Sequence, residues 1–197
     1  MQKTAIAAVA GLLLAGSVAR AGPLTELERQ RLIAHLEMTE RWLTDEVAGL
    51  SAAQVAFRPS PDSWTILDIV DHLVGVGPIY WQDLQNAMKG PPSTTPRSGT
   101  DADILWYGID RTNRERAIPS EVPKGQLRDI RQGLETIRKQ HAQLRQYIRT
   151  TADDLRSRLV ERQGSDAYQW ALLISTHEQR HILQIREIKA AARFPAR

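Results

Sequence analysis

Hydrophobic residues recur every three or four positions along four long stretches of this chain, which is the spacing of amphipathic helices. These stretches cover, approximately, residues 25–50, 64–89, 126–150 and 165 to beyond 185. No stretch alternates between hydrophobic and polar residues as a half-buried strand does, and no segment repeats. The pattern therefore predicts an all-α fold, a single four-helix bundle.

The connection between the second and third of these helices is long and rich in proline and glycine. Residues 90–100 form the clearest loop, a short helix is predicted over residues 101–113, and a second loop contains Pro119 and Pro123. A connection of this length allows a crossover between helices 2 and 3 rather than a simple up-and-down order. Such a loop either borders a site at one end of the bundle or only joins the helices.

The second helix contains Gly75, Gly77 and Pro78 shortly after His72. Proline lacks a backbone N–H and clashes with the preceding turn, so we expect a kink within about a turn and a half of His72. A kink at this place could open space for a ligand or be tolerated without any function.

The first 21 residues have the features of a secretory signal peptide. Lys3 supplies a positive start, residues 5–19 form an uninterrupted run of apolar and small residues, and Ala19-Arg20-Ala21 matches the A-x-A cleavage pattern. The run is shorter than the roughly 20 residues that span a bilayer, so no membrane anchor is expected after cleavage. We expect residues 22–197 to form one domain and the protein to be periplasmic or secreted.

Charge and cysteine content exclude several classes of protein. Cleavage would remove Lys3 and Arg20 and lower the formal charge from +3 to +1, which gives no reason to expect a nucleic-acid partner. Arg131, Arg138 and Arg145 share one helix face, but few aromatic residues accompany them, and we interpret them as a solvated surface. The absence of cysteine excludes disulfides, thiolate ligands and a cysteine nucleophile.

The candidate chemistry lies in the fourth helix, at His177-Glu178-Gln179-Arg180-His181. Two histidines four residues apart project from one helix face about one turn apart, which is the spacing that a single metal ion needs from two imidazoles. Both fall into the apolar stripe of Trp170, Leu173 and Ile185, so they should face the bundle interior. They are either core histidines with hydrogen-bond partners or metal ligands, and a third ligand would decide between these roles.

His72, in or beside the stripe of the second helix, is the candidate third ligand. If its level in the bundle matches, three neutral imidazoles would surround one divalent ion and leave a position for water or substrate, as in catalytic sites. Nitrogen ligation suits Zn, Ni, Cu or Fe and does not choose among them. Asp68 and Gln184 are candidates to orient the ligands, although a surface carboxylate and a structural amide are simpler roles.

Three further residues leave alternatives open. His141 occupies a core position of the third helix, either as a partnered core histidine or as a fourth ligand or its hydrogen-bond donor. His35 sits beside the stripe of the first helix and is interpreted as a surface or boundary residue. Glu178 should point away from a metal held by its neighbour, so we expect it to be exposed to solvent.

These motifs resemble the DinB/YfiT-like family over nearly the whole mature chain. The resemblance rests on Phe57-Arg58-Pro59, on Pro61-Asp62-Ser63-Trp64-Thr65-Ile66 leading to Asp71-His72-Leu73, and on Trp170 with His177-x-x-x-His181-x-x-Gln184-Ile185. It implies a four-helix bundle with one long crossover, in which His72, His177 and His181 bind a divalent metal. Known members include transferases and isomerases that use low-molecular-weight thiols, and an exported location departs from those mainly cytoplasmic enzymes.

The same pentapeptide matches the H-E-x-x-H signature of zincin metalloproteases, with Glu178 as the general base. No glycine and histidine follow at metzincin spacing, and Glu187 is too close to His181 to be a distant third ligand. A zinc peptidase is therefore the weakest of three hypotheses. The leading one is a metal-dependent hydrolase or transferase acting on a small molecule, and the second is a non-catalytic bundle that holds a metal or a ligand. Trp81 and Trp106 could line either a pocket or a homodimer face.

Overall fold

The computed structural model describes residues 22–196, so the predicted signal peptide, residues 1–21, lies outside the described part of the chain. Within that part, six helices and one short hairpin follow in the order α1 (Glu26–Val47), α2 (Ala52–Val55), α3 (Ile66–Lys89), α4 (Asp101–Tyr107), α5 (Ile130–Thr150), β1 (Leu159–Val160), β2 (Ser165–Asp166) and α6 (Ala167–Lys189). None of the described helices combines the length and the apolar character needed to cross a membrane. The predicted all-α fold is confirmed, and the hairpin is a small addition to it.

Side chains at the N-termini determine where the long helices begin. The side chains of Thr25, Thr65 and Asp166 each accept a hydrogen bond from the backbone N–H three residues later. The side chain of that later residue in turn accepts a hydrogen bond from the backbone N–H of the capping residue, which completes a capping box. α5 begins at Ile130 rather than near residue 126, because Asp129 caps it and the N–H groups just before it bond to a side chain of α3.

The four long helices form a ring in the order α1, α6, α3, α5, and neighbours in the ring pack against each other. α3 and α5 are parallel neighbours, since Gln140 bonds to Val74 and, seven residues further along both helices, Tyr147 packs edge-on against Trp81. Parallel neighbours need a connection that returns along the bundle. Residues 90–129 make this return and carry α4, which packs on α6. The predicted crossover between the second and third long helices is confirmed.

α3 continues without interruption through Pro78. The missing N–H of a proline leaves the carbonyl four residues earlier without its helical partner, and here that carbonyl belongs to Val74. Gln140 Nε2 of α5 donates to the Val74 carbonyl oxygen at 3.0 Å. A Cβ at position 77 would lie 2.3 Å from Gln140 Oε1, so Gly77 makes room for this bond. A side chain from the neighbouring helix therefore supplies the hydrogen bond that the proline removes.

Two hydrophobic clusters fill the bundle, and buried polar side chains lie between them. The first cluster includes Leu36, Val76, Leu144 and Trp170, and the second includes Leu43, Val70, Ile137 and Ile185. The polar layer contains one or more residues from each long helix: Thr39, His72, His141, His177, Glu178 and His181. Buried polar groups cost free energy unless they have partners, so this layer is the place to look for a functional site.

Candidate metal centre

Three histidine side chains converge in the polar layer, His72 from α3 and His177 and His181 from α6. The Nε2 atom of His177 lies 3.2 Å from His72 Nε2 and 3.1 Å from His181 Nε2. The three histidines each offer one ring nitrogen, and these nitrogens all lie within 4.8 Å of one another. Two nitrogens that bind one zinc ion tetrahedrally at about 2.0–2.1 Å are about 3.3 Å apart. The three imidazoles are therefore spaced as ligands of a single ion would be, and they could hold one.

Hydrogen bonds at the opposite ring nitrogens aim the Nε2 lone pairs at one another. His72 Nδ1 donates to the carbonyl oxygen of Glu121 at 2.6 Å, and a carbonyl can only accept, so Nε2 of the neutral ring carries the lone pair. His181 Nδ1 lies 2.8 Å from Gln184 Oε1, which gives the same tautomer with the amide oxygen as acceptor. Metal-binding histidines are commonly oriented in this way by an oxygen at the second nitrogen. A cation between the rings would satisfy the converging lone pairs.

Burial keeps the three imidazoles neutral. It lowers the pKa of His177 to about 3, with smaller contributions from His72 and Arg180. Burial also lowers the pKa of His181 well below its usual value, and His177 and His72 add to the effect. The pKa of His72 is lowered by burial in spite of the opposing Glu121 carbonyl. Since an imidazole binds a metal in its neutral form, the three side chains are ready to act as ligands at neutral pH.

Asp71 holds the loop that orients His72. Its Oδ2 accepts hydrogen bonds from the N–H groups of Lys124 at 2.6 Å and Gly125 at 2.8 Å, and its Oδ1 accepts from Gln126 N–H at 3.1 Å. Gly125 has a φ of +67°, a left-handed conformation that favours glycine. In the sequence, Asp71 stands out only as a part of the motif Asp71-His72-Leu73 and next to a candidate ligand, and neither feature indicates that it binds a loop.

A cavity of about 630 Å³ has the three histidines in its wall. Trp64 closes one side, with its ring stacked at 6.1 Å from that of His181. The crossover contributes Tyr107 and much of residues 111–122. This volume lies within the range of small-molecule sites, about 300–1,000 Å³. The crossover therefore borders the histidine site in addition to joining two helices.

Arg180, inside the H-E-x-x-H pentapeptide, holds the crossover next to this cavity through hydrogen bonds. Its guanidinium donates to the backbone carbonyls of Tyr107, Asp110 and Asn113, and only 5% of the residue is exposed. It also lies over the Tyr107 ring, with its Cζ 4.8 Å from the ring centre. No pattern in the sequence indicates this role, because the partners of Arg180 are backbone carbonyl groups about 70 residues away.

Gln184 and Asp68, the two candidates to orient the ligands, have different partners. The side-chain amide oxygen of Gln184 lies 2.8 Å from His181 Nδ1, so Gln184 orients this histidine. Asp68 lies at the start of α3, where it accepts from Thr65 N–H at 2.9 Å and pairs with Arg58 at 2.9 Å. Its role is that of a helix cap and a surface carboxylate, which was the simpler of the two alternatives.

The other two histidines lie outside the three-histidine cluster. His35 is half-buried at the edge of the bundle, with Nδ1 2.8 Å from Ser175 Oγ, as expected for a boundary residue. His141 is buried between two carboxylates, 3.4 Å from Glu40 Oε2 through Nδ1 and 3.7 Å from Glu178 Oε2 through Nε2. His141 therefore has charged neighbours within the core.

Glu178 is buried, and the expectation that it would be exposed to solvent was wrong. Only 2% of the residue is exposed, and its Oε2 accepts a hydrogen bond from Thr39 Oγ1 at 2.6 Å. The reason is that α6 packs against α1, α3 and α4, so the side of α6 next to the histidines meets other helices rather than water. Burial raises the pKa of Glu178. Glu178 lines a different cavity from that of His72 and His181, which argues against its acting as the general base of a peptidase.

Comparison with known proteins relates the sequence of this chain to a family. The family model described as the DinB superfamily matches residues 25–185. The chain is also 26% identical over 156 residues to the uncharacterized protein YuaE of Bacillus subtilis (strain 168), a match that covers 76% of this chain and 91% of that protein. No solved structure gives a significant match.

Proposed function

The chain belongs to the DinB superfamily, and we propose that it is an exported, metal-dependent hydrolase or transferase that acts on a small molecule. His72, His177 and His181 would bind one divalent ion, either Zn, Ni, Cu or Fe. The observation that carries the proposal is the convergence of three Nε2 atoms in the wall of a cavity large enough for a small molecule.

Three protein ligands favour an enzyme over a purely structural metal site. Structural zinc sites are closed by four protein ligands, whereas catalytic sites keep a position for water or substrate. A bound ion would polarise a carbonyl or phosphoryl oxygen, or lower the pKa of a bound water. The chain's own residues would hold the imidazoles in place through Glu121 and Gln184, while Trp64 and the crossover enclose the substrate.

Cobalt substitution tests whether a coordination position is open. The visible spectrum of the Co(II)-loaded protein should change when azide or a small thiol is added, because an exchangeable position lets the added ligand reach the metal. A spectrum that neither ligand alters would contradict the catalytic proposal and favour the alternative, a bundle in which the metal is closed off. Screening the loaded protein for ester or amide hydrolysis and for thiol transfer would then identify the reaction.

Export is proposed from the pattern of residues 1–21, and one contact of the described chain fits it. The backbone N–H of Gly22 donates to Asp154 Oδ2 at 2.8 Å. Cleavage after Ala21 would turn this nitrogen into a charged amine that could form an ion pair with the same carboxylate. When the full-length chain is expressed in a bacterium, the protein should be recovered outside the cytoplasm, and its intact mass should be that of a chain whose first residue is Gly22. Ala19→Asp should block the cleavage. An uncleaved cytoplasmic product of the unaltered gene would contradict the proposal.

A further inference from the structure

A second cavity, of about 270 Å³, lies inside the bundle beside the histidine site. We call it the Glu178 cavity. Much of its wall is apolar and comes from three helices: Leu73, Val76, Ile137, Leu144 and Ile174. It shares His177 and Tyr80 with the larger cavity, whereas His72 and His181 line the larger cavity alone. The Glu178 cavity is therefore a separate space with its own chemistry.

Two residues in this wall have a buried polar atom without a hydrogen-bond partner, His141 at Nδ1 and Glu178 at Oε1. His141 Nδ1 lies 3.4 Å from Glu40 Oε2, so Glu178 Oε1 is the unpartnered oxygen of the wall. Glu178 is 98% buried, and its Oε1 accepts no hydrogen bond from any residue between 22 and 196. A carboxylate oxygen buried in this way costs free energy unless a donor reaches it. The second oxygen is already occupied by Thr39. A molecule inside the cavity is thus the natural source of a donor for Oε1.

The surrounding side chains hold the Glu178 carboxylate in place. Thr39 fixes Oε2 from α1, and His141 lies 3.7 Å from the same oxygen on the α5 side. His141 is backed by Glu40, which pairs with Arg145 at 2.8 Å. Because side chains of α1 and α5 lie on either side of the carboxylate, it cannot easily turn to find another partner. The carboxyl group is therefore held in one orientation, with Oε1 left without a partner.

We propose that the Glu178 cavity binds a small molecule that has an apolar body and one hydrogen-bond donor, with the donor bonded to Glu178 Oε1. The apolar wall selects the body, and the single unpartnered oxygen selects the donor. An engineered apolar cavity of roughly 150 Å³ accommodates benzene, so a cavity of 270 Å³ is large enough for a fused two-ring molecule. The inference goes beyond the proposed metal chemistry and does not depend on it.

Indole and benzofuran test this proposal as a matched pair, because they have nearly the same shape and only indole carries an N–H donor. Titration calorimetry should show that indole binds with one site per chain and that benzofuran binds about tenfold more weakly, the effect of one hydrogen bond to a buried acceptor. The affinity for indole should be the same in chelator-treated and metal-loaded protein. Equal affinities for the two probes, an affinity that requires the metal, or no binding of either would each overturn the proposal.

Two variants locate the site. Glu178→Met replaces the carboxylate by an apolar side chain of similar length and should remove the preference for indole while benzofuran still binds. Ile174→Trp fills the cavity from a partly exposed position and should abolish the binding of both probes. Indole binding that survives Ile174→Trp in folded protein would place the probe elsewhere and overturn the proposal, even if Glu178→Met does not fold.

Discussion

Replacing Asp71 by asparagine should loosen the loop before α5 and weaken metal binding at His72. The carboxylate is 5% exposed, and its Oδ2 alone accepts two backbone N–H groups, from Lys124 and Gly125. Asparagine keeps one acceptor oxygen but puts an NH₂ group where Oδ2 stood, so at least one donor would face another donor.

The size of the effect follows from these contacts. A hydrogen bond to a charged group contributes about 1.5–3 kcal/mol, so losing two sets an upper limit of about 3–6 kcal/mol. Part of this is recovered because the freed loop amides can bond to water, and we expect a loss of about 2–3 kcal/mol. For a chain of this length, that lowers Tm by roughly 4–12 °C. The loop also carries the Glu121 carbonyl that orients His72, so the Kd for Zn should rise about 10- to 100-fold.

Thermal unfolding of the metal-free protein and competition titration with a chromophoric chelator measure the two effects separately. Asp68→Asn is the matched control, since it alters an aspartate one turn earlier in α3 that contacts Arg58 and the helix cap instead of the loop. It should cost about 0.5–1 kcal/mol and leave zinc affinity unchanged. A lower Tm with unaltered zinc affinity in Asp71→Asn would refute the claim that this loop orients His72.

Three further predictions follow from individual contacts. Gln184→Leu removes the acceptor at His181 Nδ1 and should raise the Kd for zinc about 10- to 100-fold, whereas Gln179→Leu, on the same helix but outside the cavity, should change it little. Gln140→Leu leaves the Val74 carbonyl without a donor and should cost about 1–3 kcal/mol in urea unfolding, against less than about 0.5 kcal/mol for exposed Gln143→Leu. Burial lowers the pKa of His177 to about 3 from an ordinary value near 6.5. Below about pH 7 the unfolded, metal-free chain therefore binds more protons at His177 than the folded chain does, so the free energy of unfolding should fall as the pH drops. The difference in unfolding free energy between wild type and His177→Gln should shift by about 2 kcal/mol between pH 8 and pH 5, and a difference independent of pH would show that His177 titrates normally.

The sequence predicted what depends on local periodicity. The helical stripes placed His72, His177 and His181 in the interior, and the structure brings these three side chains together. The length of the connection between the second and third helices indicated a crossover, which the parallel neighbours α3 and α5 require. The two-residue strands β1 and β2 are too short for any alternation to show in the sequence.

Features that depend on distant partners could not be predicted in this way. The position of Glu178 next to His177 in the sequence indicates only that the two side chains point in different directions from the helix axis. It does not show that other helices also cover the side of α6 on which Glu178 lies. Asp71 and Arg180 act on backbone groups of the crossover, which leave no trace in side-chain patterns. Of the two tryptophans that could line a pocket or a homodimer face, Trp81 lines the Glu178 cavity. Trp106 is 65% exposed, and the homodimer stays a prediction.

Elemental analysis of the purified mature protein measures whether His72, His177 and His181 bind one metal ion. We expect about one divalent ion per wild-type chain, its loss in both His72→Ala and His177→Ala, and its retention in His35→Ala, which alters a histidine outside the cluster. Wild-type protein that holds no metal after reloading with Zn, Ni, Cu or Fe, or His72→Ala protein that retains a full complement, would show that the three histidines do not form a metal site.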